Sequence, residues 1–126
     1  MNVRAQREVQ VAIVDDDSRI RESLSNLVEA AGYICAVFQS AEAFLLSPAL
    51  VRARCLITDV RMPNMDGIEL QRRLKKQRLD LPVIFITAHE DDIAEKRALA
   101  EGAVCFLHKP FSSSELLKCI GRVLVN

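Results

Sequence analysis

Apolar residues along this chain follow two alternating rhythms. Short runs rich in β-branched and apolar residues occur at 9–14, 33–38, 55–58, 83–87 and 104–107. Between them, apolar positions recur at helical spacing. Ile20, Leu24, Leu27, Val28 and Ala31 fall at i, i+4, i+7, i+8 and i+11, one face of a helix, and Gly32 follows as a stop. Ser40 opens a short helix through Ala43, Phe44 and Leu45, which Pro48 ends. Asp66 and Glu69 have capping-box-like spacing at the start of a helix reaching Gln77, and Ser112 and Glu115 repeat that spacing before the last helix.

The order is strand then helix, five times over: (βα)5. Such alternation predicts an α/β fold whose strands pair in parallel through right-handed crossovers, with helices on both faces. The run Val83-Ile84-Phe85-Ile86 is apolar throughout, as a strand buried on both faces requires. The expected architecture is a five-stranded, doubly wound parallel sheet of flavodoxin-like order 2-1-3-4-5. There is no internal repeat, low-complexity tract or linker, so residues 1–126 read as one domain.

Composition narrows the class. The 126 residues include 17 Lys plus Arg and 17 Asp plus Glu, a formal net charge of zero. A nucleic-acid-binding module usually carries a basic excess to neutralise phosphates, and none exists here. Half the residues are hydrophobic, enough for a core that needs neither disulfide nor metal. Cys35, Cys55, Cys105 and Cys119 form no CxxC pair and are expected as free thiols, acting as small buried hydrophobes in a reducing cytosol. The polar N-terminus lacks a signal peptide, and no stretch approaches the ~20 apolar residues of a membrane span. These features imply a soluble, cytoplasmic protein.

In open parallel sheets, ligands bind beyond the carboxyl ends of the strands. Strand one runs into Asp15-Asp16-Asp17, strand three ends at Asp59, strand four at Thr87, and strand five is followed by Lys109-Pro110. With strands one and three adjacent, Asp15, Asp16 and Asp59 converge. Two carboxylates ~4 Å apart at an effective dielectric of ~20 repel by ~4 kcal/mol, so either a proton or a cation must intervene. Hard oxygen ligands with room for water suit Mg²⁺. Lys109 and Thr87 complete a pocket fitted to a phosphoryl group, and a carboxylate is a nucleophile able to form an aspartyl-phosphate. Asp59, single and central, is the best placed. Each feature alone also reads as ordinary loop chemistry: an acidic run caps a helix, and residues 63–67 form a turn. Their joint placement carries the reading.

Taken together, Val14-Asp15-Asp16-Asp17, the run from Thr58-Asp59 through Met62-Pro63-Asn64-Met65-Asp66-Gly67, Thr87-Ala88, and Gly102-Ala103 through Lys109-Pro110-Phe111 resemble the receiver domain of two-component response regulators. The resemblance covers essentially the whole chain, and its wording is nearest the FixJ/NarL transcriptional class. It implies that Asp59 is the phosphoacceptor, served by a sensor histidine kinase or a small phosphodonor. It implies Mg²⁺ held by Asp15, Asp16, Asp59 and the backbone carbonyl of Arg61. Lys109 would pair with the phosphoryl group, and Thr87 and Phe106 would shift together as the switch. Arg61 and His89, two residues past Asp59 and Thr87, would modulate phosphoryl lifetime. The Lys109–Pro110 bond would be cis, at a cost of only ~0.5–1 kcal/mol for an X-Pro bond. Asp17 departs from the acidic pair, and helix capping is its expected role.

The same resemblance implies an output. The class carries a DNA-binding helix-turn-helix domain after the receiver, whereas this sequence stops at Asn126 after the fifth helix. It reads as an excised receiver, the alternative being a stand-alone one acting by protein–protein contact or as a phosphate shuttle. On the last helix Leu116, Ile120 and Val123 make one apolar row, and Leu117 and Leu124 another, which suggests a second buried face. The surface of helix four, strand five and helix five is therefore expected to form a phosphorylation-dependent homodimer or output interface. The basic run from Arg72 to Arg78 lies at a helix C-terminus, where cations suit the dipole, and reads as a solvated face. An aspartate-nucleophile phosphatase would need a second acid two residues after Asp59, where Arg61 stands. No phosphate-binding GxxxxGK[ST] loop is present, which disfavours nucleotide hydrolysis.

Overall fold

The computed structural model describes residues 9–77 and 80–124. Its elements run β1 (Val11–Val14), α1 (Ser18–Ala30), β2 (Cys35–Phe38), α2 (Ala41–Leu45), α3 (Ala49–Arg52), β3 (Cys55–Asp59), α4 (Gly67–Gln77), β4 (Val83–Thr87), α5 (Asp92–Ala100), β5 (Cys105–His108) and α6 (Ser113–Val123). The five strands form one parallel sheet of order β2-β1-β3-β4-β5. This is the doubly wound order the sequence predicts. The expected helices four and five are α5 and α6, because the second helical segment is divided. Pro48 ends α2 but begins the separate one-turn α3, which the periodicity did not reveal. Proline fits there because the first helical positions have no intrahelical partner for an N–H.

The two faces of the sheet bury separate cores. Ala12, Val14, Leu56 and Phe85 point to the side covered by α2 to α5, where Phe44, Leu70, Leu74 and Ala98 pack. Val11, Ile13, Ile57, Ile84 and Ile86 point to the side covered by α1 and α6, against Leu24, Val28, Leu116 and Ile120. Side-chain alternation along each strand makes this division, and burial on both faces explains why β4 shows no polar position before Thr87.

Helix ends follow their side-chain chemistry. Asp17 accepts from the Arg19 N–H and caps α1, the role expected of it. Ser40 caps α2, and Ser112 and Glu115 make a reciprocal capping box on α6. At α4, Asp66 Oδ1 accepts from the Glu69 N–H at 2.8 Å. Gly32, at φ 97°, ends the turn after α1 in the left-handed region.

Two expectations need correction. The second apolar row of α6 does not face outward: Leu117 packs against the α1-side core, and Leu124, just past the helix, is 3% exposed in that same core. Both rows therefore reach one core. The exposed large apolar residues near this surface lie instead on α5, at Ile93 and Leu99. Nor are all the cysteines free thiols. Cys105 on β5 and Cys119 on α6 form a disulfide, while Cys35 and Cys55 are free. Their separation of 14 residues in sequence hid a Cα distance of 6.2 Å created by the helix returning over its own strand. Among the described residues, no helix is long and apolar enough to cross a membrane.

Candidate functional site

Strand register decides which loop residues meet. Val14 pairs with Thr58, so Asp15, the next residue along β1, comes beside Asp59 at the end of β3. One carboxylate oxygen from each of Asp15, Asp16 and Asp59 lies within 4.8 Å of the others. Asp15 is 1% exposed, Asp59 half-buried and Asp16 open to solvent. The cluster thus has a buried floor and a wet mouth.

Backbone and side-chain contacts fix the floor. Asp15 Oδ1 accepts from the Asp17 N–H at 2.9 Å, and the Arg21 guanidinium donates to the Asp15 carbonyl oxygen at 2.7 Å. Asp15 Oδ2 is buried without a hydrogen-bond partner, and the ammonium of Lys109 stands 3.9 Å away. Burial pushes the Asp15 carboxyl up to about 6, and the neighbouring charges of Asp59 and Asp16 add to the rise, against the pull of the Asp17 N–H and Lys109. Asp59 is raised as well, first by burial, with Lys109 and the Arg61 and Val60 N–H groups opposing. An orphaned buried oxygen and carboxylates that resist ionisation are what an all-oxygen donor set presents when it is suited to a hard divalent cation. The three aspartates fit such an ion.

The β3–α4 loop is shaped for close approach. Arg61 N–H donates to Asp59 Oδ1 at 3.3 Å, Thr58 Oγ1 donates to the Asp59 carbonyl at 3.0 Å, and Gly67 N–H donates to the Val60 carbonyl at 2.8 Å. Asn64 adopts φ 68°, which its short polar side chain tolerates. A Cβ on Gly67 would collide with the Asp59 carbonyl and lie 3.0 Å from the Phe85 ring. Sequence reading saw a turn in residues 63–67 but not that Gly67 seats the end of β3.

The far wall comes from β4 and β5. Lys109 N–H donates to the Thr87 carbonyl at 2.8 Å, and the Lys109–Pro110 bond is cis. Thr87 is 1% exposed, and its hydroxyl accepts from the His89 N–H at 3.1 Å. Asp15, Asp16, Asp59 and Lys109 are thus brought together, with Thr87 one strand over.

A family model for the response regulator receiver domain matches residues 11–121. The chain belongs to that family. The receiver is similar to the response regulator protein TmoT of Ectopseudomonas mendocina, 41% identical over 118 residues, covering 94% of this chain and 54% of TmoT. It is similar to the transcriptional regulatory protein FixJ of Bradyrhizobium diazoefficiens, 39% identical over 110 residues, covering 87% of this chain and 54% of FixJ. The receiver therefore spans about half the length of the curated relatives it matches. The crystal structure of FixJ-N superposes with a TM-score of 0.83 at 38% identity, covering 94% of this chain and 98% of that one.

The remaining sequence-predicted positions of the receiver lie around the pocket rather than in it. Phe106 is half-buried, its ring centroid 5.8 Å from Phe85 and 5.4 Å from His108. The exposed Arg61 side chain reaches Asp91 Oδ2 at 3.4 Å, and Asp91 in turn caps α5 through the Ala94 N–H. Through Arg61 the loop after Asp59 thereby touches the start of α5. Periodicity gave no sign of Asp91 in this role, although an aspartate three residues before Ala94 has N-cap spacing. His89 is exposed, beside Thr87.

Proposed function

We propose that this receiver is a phosphorylation-driven signalling switch, with Asp59 as its phosphoacceptor. The observation that carries the reading is the convergence of Asp15, Asp16 and Asp59 within 4.8 Å, faced by the Lys109 ammonium. An Asp59 carboxylate oxygen attacks the phosphorus of a phosphohistidine on a sensor histidine kinase, or of a small phosphodonor. The new P–O bond forms as the bond from phosphorus to the donor's leaving atom breaks. Asp15, Asp16, Asp59 and the Arg61 carbonyl would hold Mg²⁺, which supplies charge neutralisation for the transferred group. Lys109 pairs with a phosphoryl oxygen, and the Thr87 hydroxyl turns from the His89 N–H to donate to another. The half-buried Phe106 follows Thr87 inward.

The added charge, roughly −1.5 to −2, is then read at a distance. Arg61, tied to the cap of α5, and Phe106 on β5 both lead to the α5–β5–α6 surface, where Ile93 and Leu99 are exposed. That surface is the proposed dimer or output interface; the similar FixJ is a transcriptional regulatory protein, and control of transcription through a DNA-binding domain is the output this reading favours. Arg61 and His89 set the lifetime of the phosphorylated form, in a cytoplasmic setting. The alternative is a receiver that acts alone, by protein contact or as a phosphate shuttle.

Incubation with acetyl phosphate and Mg²⁺ should add one phosphoryl mass increment to the intact chain, and Asp59→Asn should abolish it. No labelling from either a small donor or a histidine kinase would sink the reading. Sedimentation with and without beryllofluoride tests the interface, and a monomer in both states would remove the dimer.

A further inference from the structure

We propose that Cys105 and Cys119 are a redox modification site: a dithiol that hydroperoxides oxidise reversibly to the disulfide, fastening α6 to β5. Three observations carry it. The two residues come from different elements, with Cα atoms 6.2 Å apart, so the bond is a tie between strand and helix. Both line an open groove of about 390 Å³ across the edge strand, with Phe106 on β5, Leu99 on α5 and Lys118 and Arg122 on α6. Arg122 Nη1 lies 3.4 Å from Cys105 Sγ, a cation placed to favour the thiolate in the reduced state, whereas of the acids lining the same groove Glu95 lies 3.5 Å from His108 and Glu115 is engaged in the α6 capping box.

Cys105 and Cys119 are 7% and 5% exposed, and that residual exposure borders the open groove, from which a small oxidant would approach. The other two thiols are poorer targets. Cys55 is fully buried and its thiol is pushed up to about 12, and burial also raises Cys35. The chemistry balances without any group beyond the peroxide. The Cys105 thiolate attacks one peroxide oxygen, the S–O bond forms as the O–O bond breaks, and the departing oxygen takes the thiol's proton and leaves as water from hydrogen peroxide or as the alcohol from an organic hydroperoxide. The Cys119 sulfur then attacks the sulfenic acid on Cys105. The S–S bond forms, the S–O bond breaks, and water leaves with the second proton. Each sulfur loses one electron and the peroxide gains two. A small dithiol reverses the reaction by exchange.

The thiol chemistry is independent of the phosphoacceptor reading, and only its consequence for the α5–β5–α6 surface rests on it. The test uses the full chain. Fully reduced protein is treated with hydrogen peroxide, and thiols are counted after denaturation, with linked peptides mapped by mass. Two of the four thiols should vanish into one intramolecular 105–119 link, dithiothreitol should restore them without unfolding, and amide exchange in α6 should slow by about tenfold on oxidation. Cys119→Ala and Cys105→Ala should each abolish both the link and the exchange change, and Cys55→Ala should abolish neither. Four surviving thiols, a link through Cys35, a bond that resists native reduction, or unchanged α6 exchange would each overturn the proposal. If one alanine variant fails to fold, the other and the wild-type peptide map still decide it.

Discussion

Replacing Asp15 with Asn should stabilise the metal-free protein while destroying its response to Mg²⁺. The carboxyl is 1% exposed and its pKa is pushed from 3.8 to about 6. A shift of about two units corresponds to roughly 3 kcal/mol at a pH above both values. The sign follows from proton binding. The folded protein keeps the Asp15 proton at pH values where the unfolded chain has lost it. The contribution of Asp15 to stability is therefore greatest below about pH 4, falls as pH rises toward about 6, and levels off above that. Asn cannot ionise, and its Oδ1 can still accept the Asp17 N–H now bound at 2.9 Å. Some of the gain is lost because the site is wet at its mouth and relaxes, so the expected stabilisation at about pH 7.5 is about 1–3 kcal/mol. Urea unfolding followed by circular dichroism in EDTA measures it. The difference between variant and wild type should narrow as pH falls from about 6 and approach zero only below about pH 3.8, where the carboxyl is protonated in the unfolded chain as well as in the folded one. Groups such as Asp17, whose carboxyl is lowered by the Arg19 N–H, largely cancel in the comparison. Adding Mg²⁺ should then stabilise the wild type by mass action and leave the variant unmoved. A variant less stable than wild type in EDTA near neutral pH would refute the reasoning, as would a difference independent of pH.

Gly67→Ala should cost about 2–3 kcal/mol in the same unfolding assay, because its Cβ must displace the Asp59 carbonyl or the Phe85 ring. Ser112→Ala removes the side-chain half of the α6 capping box and should cost about 1 kcal/mol. His89→Ala should change the decay rate of the phosphorylated form, followed by intact mass, and an unchanged lifetime would remove His89 as a modulator.

The sheet was legible because its information is local. Apolar strands such as 83–87 cannot satisfy two buried faces in any other arrangement, and alternation with helices leaves only parallel pairing. The acidic cluster was legible for a related reason. Asp15 directly follows β1 and Asp59 ends β3, and the order of strands places those ends together. Gly67 and Asp91 were not legible in their roles. One acts through space against a carbonyl and the other through a side chain reaching back across the pocket mouth, and neither leaves a period in the sequence.

The last helix shows where pattern reasoning fails and why. Counting apolar residues predicted two buried faces, one for the sheet and one for a partner, but Leu117 and Leu124 lie close enough to the row of Leu116, Ile120 and Val123 to enter one core. A helix over the edge strand meets the sheet and α1 at once, so a wider apolar arc is buried without a partner. The same geometry brings Cys119 onto Cys105. The residues left for an external contact are therefore not those of the apolar row. They are the groove between α5 and α6 and the exposed Ile93 and Leu99 beside it. Under the two proposals, that surface would receive two inputs: the pocket through Arg61 and Asp91 at the start of α5, and the cysteine pair lining the groove. A contact made there would answer to how α5 and α6 sit on β5, more than to how apolar either helix is.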